Sequence, residues 1–136
     1  AGPAPQRLSK IVNYLRQNPD VEYLFFTVAD MSAGISGELA SAGLSDVKVL
    51  GLSPNETTME EVANGKEWAA IAMENETNGW RGVDGIIRQL NGESVEPESY
   101  PLAYTRILTQ ETAEPGPPPN PPGTPEAFLE AWGVNP

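Results

Sequence analysis

The chain has 136 residues, enough for one compact domain, and 39% of them are hydrophobic, so a packed core is possible. Lys and Arg number 8 against 19 Asp and Glu, for a net charge of −11. No basic cluster is present to neutralise phosphates, which excludes direct binding of nucleic acid by this segment. Cysteine and histidine are both absent, which removes thiolate chemistry, disulfides, most zinc and haem ligation and the imidazole general base. No enzyme activity, metal or cofactor is expected.

Leu8, Ile11, Val12 and Leu15 stand at helical spacing, and Asn18-Pro19-Asp20 stops that helix. The opening Ala1–Pro5 has neither the charged nor the apolar region of a secretory signal, and no apolar run approaches the roughly 18 residues of a membrane span. Val21–Val28 is a nearly continuous apolar and aromatic run, which reads as a strand buried on both faces of a parallel sheet. Asp30 is placed to cap the next helix, in which Met31, Ile35 and Leu39 repeat every four residues before Gly43 ends it. Val47–Leu52 is a second strand. Thr57 and Thr58, each with a glutamate three residues on, offer a capping box for a short helix that stops at Asn64-Gly65. Trp68–Met73 is a third strand. A longer helix over 76–91 carries Trp80, Val83, Ile87 and Leu90 on one face. Residues 93–101 read as a loop and Tyr104–Leu108 as a last strand. Alternating helices and strands with tight connections predict an α/β fold: a parallel sheet with flanking helices.

From Pro115 to Pro125 prolines dominate, in PGPPPNPPGTP. Such a stretch excludes helix and central strand and reads as an extended spacer, able to reach about 34 Å at 3.1 Å per residue. Beyond it, Phe128, Leu129 and Trp132 lie on one side of a short amphipathic turn that is expected to dock. The expected organisation is thus an α/β ligand-binding portion over 1–109, a spacer over 110–125 and a docking tail over 126–136.

In open α/β sheets, ligands bind at the carboxyl ends of the strands, where helix N-termini present free N–H groups. Three such ends are readable: Ala29-Asp30-Met31, Ser53-Pro54-Asn55 and Met73-Glu74-Asn75. Ala29, Asp30, Ser53, Met73 and Asn75 are therefore the candidate ligand-binding residues. For Asp30 and Ser53 a plain cap or turn role competes on even terms, and for Met73 a core role is favoured. Glu56, Glu60 and Glu61 read as a solvated helix face with dipole-favoured acids, ahead of a metal site or acid pair.

Asn18-Pro-Asp-Val21 running into a buried strand, then Ala29-Asp30-Met31-Ser-Ala-Gly34, resembles type I periplasmic solute-binding proteins of the ribose-binding-protein kind. The resemblance continues through Ala42-Gly43-Leu-Ser-Asp-Val47-Lys-Val-Leu-Gly51, Ala63-Asn-Gly65-Lys66, Ala70-Ile-Ala72 and Asn78-Gly79 to Leu90-Asn91-Gly92-Glu93. It spans roughly residues 8–109. It implies a two-lobed fold closing on a small ligand, of which this chain holds the C-terminal portion, with segment 74–92 crossing to the other lobe. A missing N-terminal lobe or a second copy of the chain would complete it. It also implies a sugar-like or less polar solute, a membrane permease of an ABC importer as partner, and a periplasmic or extracellular place beside that transporter. The family's sugar-binding Asn matches Ala29, its turn Asp matches Ser53 and its crossover Gln or Asn matches Met73. All three depart from the pattern, and Asp30 alone is retained. An alternative is the effector-sensing domain of a lac-repressor-like regulator, which shares the fold.

Overall fold

The computed structural model describes residues 4–95 and 105–134. The expected loop prolines Pro97 and Pro101, and Tyr104, lie outside them. The chain divides into two units, Ala1–Ala72 with Arg106–Pro118 and Met73–Thr105 with Pro119–Pro136. The polypeptide thus passes between them three times.

The first unit is built on a sheet of four strands in the order β1 (Tyr23–Phe26), β2 (Lys48–Leu52), β3 (Ala69–Met73) and β4 (Thr105–Thr109). β1 and β2 run parallel with Phe26 opposite Gly51, and β2 and β3 run parallel with Gly51 opposite Ala70. Helix α1 (Ala4–Gln17) precedes β1, α2 (Ile35–Ser41) joins β1 to β2, and α3 (Glu56–Ala63) joins β2 to β3. Successive neighbouring strands joined by crossovers of one hand place their helices on one face. The core follows that rule: Leu8, Val12 and Leu15 of α1 and Ile35 and Leu39 of α2 pack on Phe26 and Val49. Met59 of α3 packs on Ala72 and Leu108.

Three details of the first unit differ from the sequence reading. β1 is not buried on both faces, for Tyr23 is 48% and Phe25 47% exposed while Phe26 is buried. β1 is an edge strand whose helices all lie on the Phe26 side. Asp30 does not cap α2. It sits in a separate 3-10 turn, Ala29–Ser32, and α2 starts after Gly34, whose φ of 84° suits a residue without a Cβ. At α3 the cap is Asn55 rather than Thr57 or Thr58, its side chain accepting the Thr58 N–H at 2.9 Å.

The second unit is a pair of helices, α4 (Asn75–Leu90) and α5 (Thr124–Ala131). Trp80 of α4 stacks on Phe128 at 6.0 Å between ring centroids, and Trp132 lies 5.6 Å from Trp80. The Trp132 indole N–H donates to Asp84 Oδ1 at 2.7 Å, and Arg88 Nε donates to Asp84 Oδ2 at 2.6 Å. Buried Asp84 is therefore neutralised and bonded on both oxygens, as a carboxylate out of water requires. Leu90, expected on the same apolar face as Trp80, is instead 82% exposed. Residues 113–121 form neither helix nor strand, while Thr124 and Pro125 already belong to α5. No helix among the described residues is long and apolar enough to cross a membrane.

Candidate functional site

The carboxyl ends of β1 and β2 bring three of the five candidate residues to one end of the first unit's sheet. Ala29 and Asp30 open the 3-10 turn after β1, and Ser53 follows β2 directly. The turn sits close on the sheet because β2 carries Gly51: a Cβ there would stand 3.2 Å from both Cα and Cβ of Ala29. Ala29 is wholly buried by that contact, so its part is to set the turn's height above the strand.

Asp30 is exposed, and its Oδ1 accepts a hydrogen bond from Asn55 Nδ2. Asn55 thus works twice, tying the Asp30 carboxylate to the end of α3 and capping that helix with its own oxygen. Ser53, between them in sequence, has φ 56°, the one positive φ of a non-glycine residue among the described residues. Its N–H donates to Ile71 O at 2.9 Å, which locks this left-handed residue against β3. Backbone held in the left-handed region by its surroundings is a recurrent feature of binding sites. The result is a small polar ridge, Asp30, Ser53 and Asn55, on backbone that cannot easily shift.

The remaining two candidates belong to the second unit. Met73 ends β3 and is half-buried; Asn75 is the exposed first residue of α4. Between them Glu74 is buried, and Arg81 NH2 lies 3.6 Å from its Oε2. Sequence reasoning placed Asn55 and Glu74 at strand ends but singled out neither, and it did not pair Asn55 with Asp30. Asn55 was findable, as an N-cap residue type immediately before Glu56 at a helix start.

A second acid escaped the sequence reading altogether. Glu67, just before β3, is 1% exposed, and burial chiefly pushes its carboxyl up to about 7. The nearby Glu61 charge pushes the same way and the Ser32 hydroxyl pulls back. No group of three or more His, Cys, Asp or Glu side chains converges among the described residues. A hollow between α2 and α3, lined by Gly34, Ser36, Leu39, Val47 and Glu61, contains none of the five candidates.

With this geometry described, the chain was compared with known proteins. No family model matches it. The ribose import binding protein of Escherichia coli K12 is 32% identical over 103 residues, 76% of this chain and 34% of that protein. That of Salmonella typhimurium LT2 is 31% identical over the same share. This chain carries the type I periplasmic solute-binding fold, and its sequence is ribose-binding-protein-like. A periplasmic solute-binding protein of an ABC transporter from Actinobacillus succinogenes, solved with bound D-allose, superposes with a TM-score of 0.69. It is 22% identical, over 81% of this chain and 39% of that one. A glucose-galactose binding protein from Geobacillus stearothermophilus gives a TM-score of 0.68 at 17% identity, over 80% and 39%. The chain therefore spans about a third of the length of the curated relatives it matches.

Proposed function

We propose that the chain forms part of the solute-binding subunit of an ABC-type importer, which captures a small sugar-like or less polar solute and hands it to a membrane permease. The observation that carries this reading is the 32% identity to a ribose import binding protein across 76% of the chain. The rest of the subunit, or a second copy, would supply the other wall of the site, and the protein would work in the periplasm or outside the cell. Binding without turnover fits a chain with no histidine or cysteine. The regulator reading draws no support from any of the relatives described above.

Asp30 is the residue expected to hold a ligand hydroxyl, because its carboxylate is exposed and already oriented by Asn55. Ser53, which follows β2 at the same end of the sheet, would add a polar contact. Hydrogen bonds to charged groups are worth about 1.5–3 kcal/mol. Asp30→Ala in the intact protein should therefore weaken sugar binding by roughly ten- to hundredfold. Calorimetric titration with D-ribose, D-allose and less polar analogues measures this. Absence of binding by every compound would overturn the assignment, and consumption of a bound sugar would overturn its non-catalytic character.

A further inference from the structure

We propose that Glu67 is a pH-sensitive latch under the turn that carries Ala29 and Asp30: neutral it lets the turn close, ionised it loosens it. The carboxyl is fully enclosed, and neither of its oxygens has a hydrogen-bond partner. The backbone around it is pinned on both sides. The Lys66 and Glu67 N–H groups donate to Glu61 O at 2.8 and 3.1 Å, and Trp68 N–H donates to Val49 O at 2.8 Å. Ser36 Oγ donates to Lys66 O at 3.2 Å.

Of the groups near this carboxyl, Glu61 disfavours a charge on it and the Ser32 hydroxyl favours one, and burial outweighs that help. From the turn comes Ser32, itself buried, whose hydroxyl proton is already given to Ala29 O at 2.8 Å. A protonated Glu67 can donate to the lone pairs of that hydroxyl; an ionised one competes with Ala29 O for its only proton. From α3 comes Glu61, an acid, and Gln110 and Glu111 of the segment after β4 line the hollow beside Glu67. Lys66, next in the chain, is exposed and spends its backbone on Glu61. Asp30, the other charge on the turn, is engaged by Asn55.

Ionisation of Glu67 therefore pulls the Ser32 hydroxyl from Ala29 O and adds repulsion from Glu61. The side-chain bond that closes the 3-10 turn on itself is lost. The sign follows from the direction of the shift. Folding holds the proton on Glu67 up to about pH 7, against an ordinary value of 4.5. Stability is complete below 4.5, declines as pH rises through about 7, and levels off above it. That solute affinity would fall over the same window rests on the solute-binding reading above. The opening of the turn does not.

The test is carboxyl-carbon NMR of the intact chain with labelled glutamate, together with amide exchange at pH 5.5 and 8.5 expressed as protection factors. One glutamate should titrate near neutrality, and its resonance should vanish in Glu67→Gln. Protection over residues 29–33 should fall about tenfold at the higher pH in the wild type, about one unit of differential ionisation, and stay level in the variant. A Glu67 midpoint in the ordinary glutamate range would overturn the proposal, as would equal loss of protection in wild type and Glu67→Gln. If Glu67→Gln does not fold, Ser32→Ala decides: it should remove the pH dependence of residues 29–33, and an unchanged dependence counts against the latch. Neither readout needs a ligand. Failure of the solute-binding reading shows separately, as absence of sugar binding at every pH.

Discussion

The two units of this chain are held together by different physics. The first rests on many aliphatic contacts shared among three helices and a sheet, with Ile35 and Val62 wholly enclosed. In the second, three aromatic rings and one buried carboxylate join α4 to α5. A core of the first kind fails by leaving a hole, and the damage spreads over everything that packed around it. A joint of the second kind fails by disconnection, and the damage stays local.

The sharpest way to break the comparison is Ile35→Ala. Ile35 is 0% exposed and stands where α1, α2, β1 and β2 meet. Truncation of a buried isoleucine costs about 2–5 kcal/mol through lost transfer energy and the residual cavity. Denaturant unfolding should show a lower midpoint, with amide protection lost together across α1, β1 and β2. Loss confined to α2 would mean that the first unit is less cooperative than its packing implies.

Trp132→Ala should have a smaller and narrower effect. The ring is half-buried, and it contributes one charge-assisted bond to Asp84. Partial aromatic burial and that bond together are worth about 2–3 kcal/mol. Asp84 keeps Arg88, so its charge does not become an orphan. Proteolysis within residues 124–134 should speed up while the first unit's protection is unchanged. A tail equally resistant in the variant would show that Phe128 alone seats α5.

Much of this contrast was legible in the sequence. The apolar periodicity of Leu8, Val12 and Leu15, the strands ending at Leu52 and Met73, and the shared side of Phe128 and Trp132 all follow from spacing. What could not be read depends on closure in three dimensions. β1 reads as doubly buried because Tyr23 and Phe25 are apolar, yet its exposure is set by which face the crossover helices take. Asp30 reads as a helix cap because local sequence cannot tell a 3-10 turn followed by Gly34 from one continuous helix. Glu67 goes unnoticed because nothing in its local sequence, between Lys66 and Trp68, marks an enclosed acid; its backbone folds back onto Glu61. At the candidate site, the strand ends and Asp30 were legible from topology. The Asp30–Asn55 bond and the left-handed Ser53 were not, being consequences of how neighbouring strand ends meet.

The smallest expected effect is also the one that separates a fold role from a binding role at the site. Ser53 has φ 56°, and an L-residue in that region costs about 1–2 kcal/mol relative to glycine. Its N–H is used by Ile71 O, a bond that glycine would keep. Ser53→Gly should therefore stabilise the first unit by about 1 kcal/mol, a rise in melting temperature of roughly 3 °C. A simple turn residue would change nothing else. If the hydroxyl instead contacts solute, the same substitution should raise the melting temperature and weaken sugar binding together, which is the trade expected where strain is kept for function. Calorimetry of the variant with and without sugar reads both quantities. A variant that melts higher and binds as tightly would remove Ser53 from the site and leave Asp30 as the polar contact of the first unit.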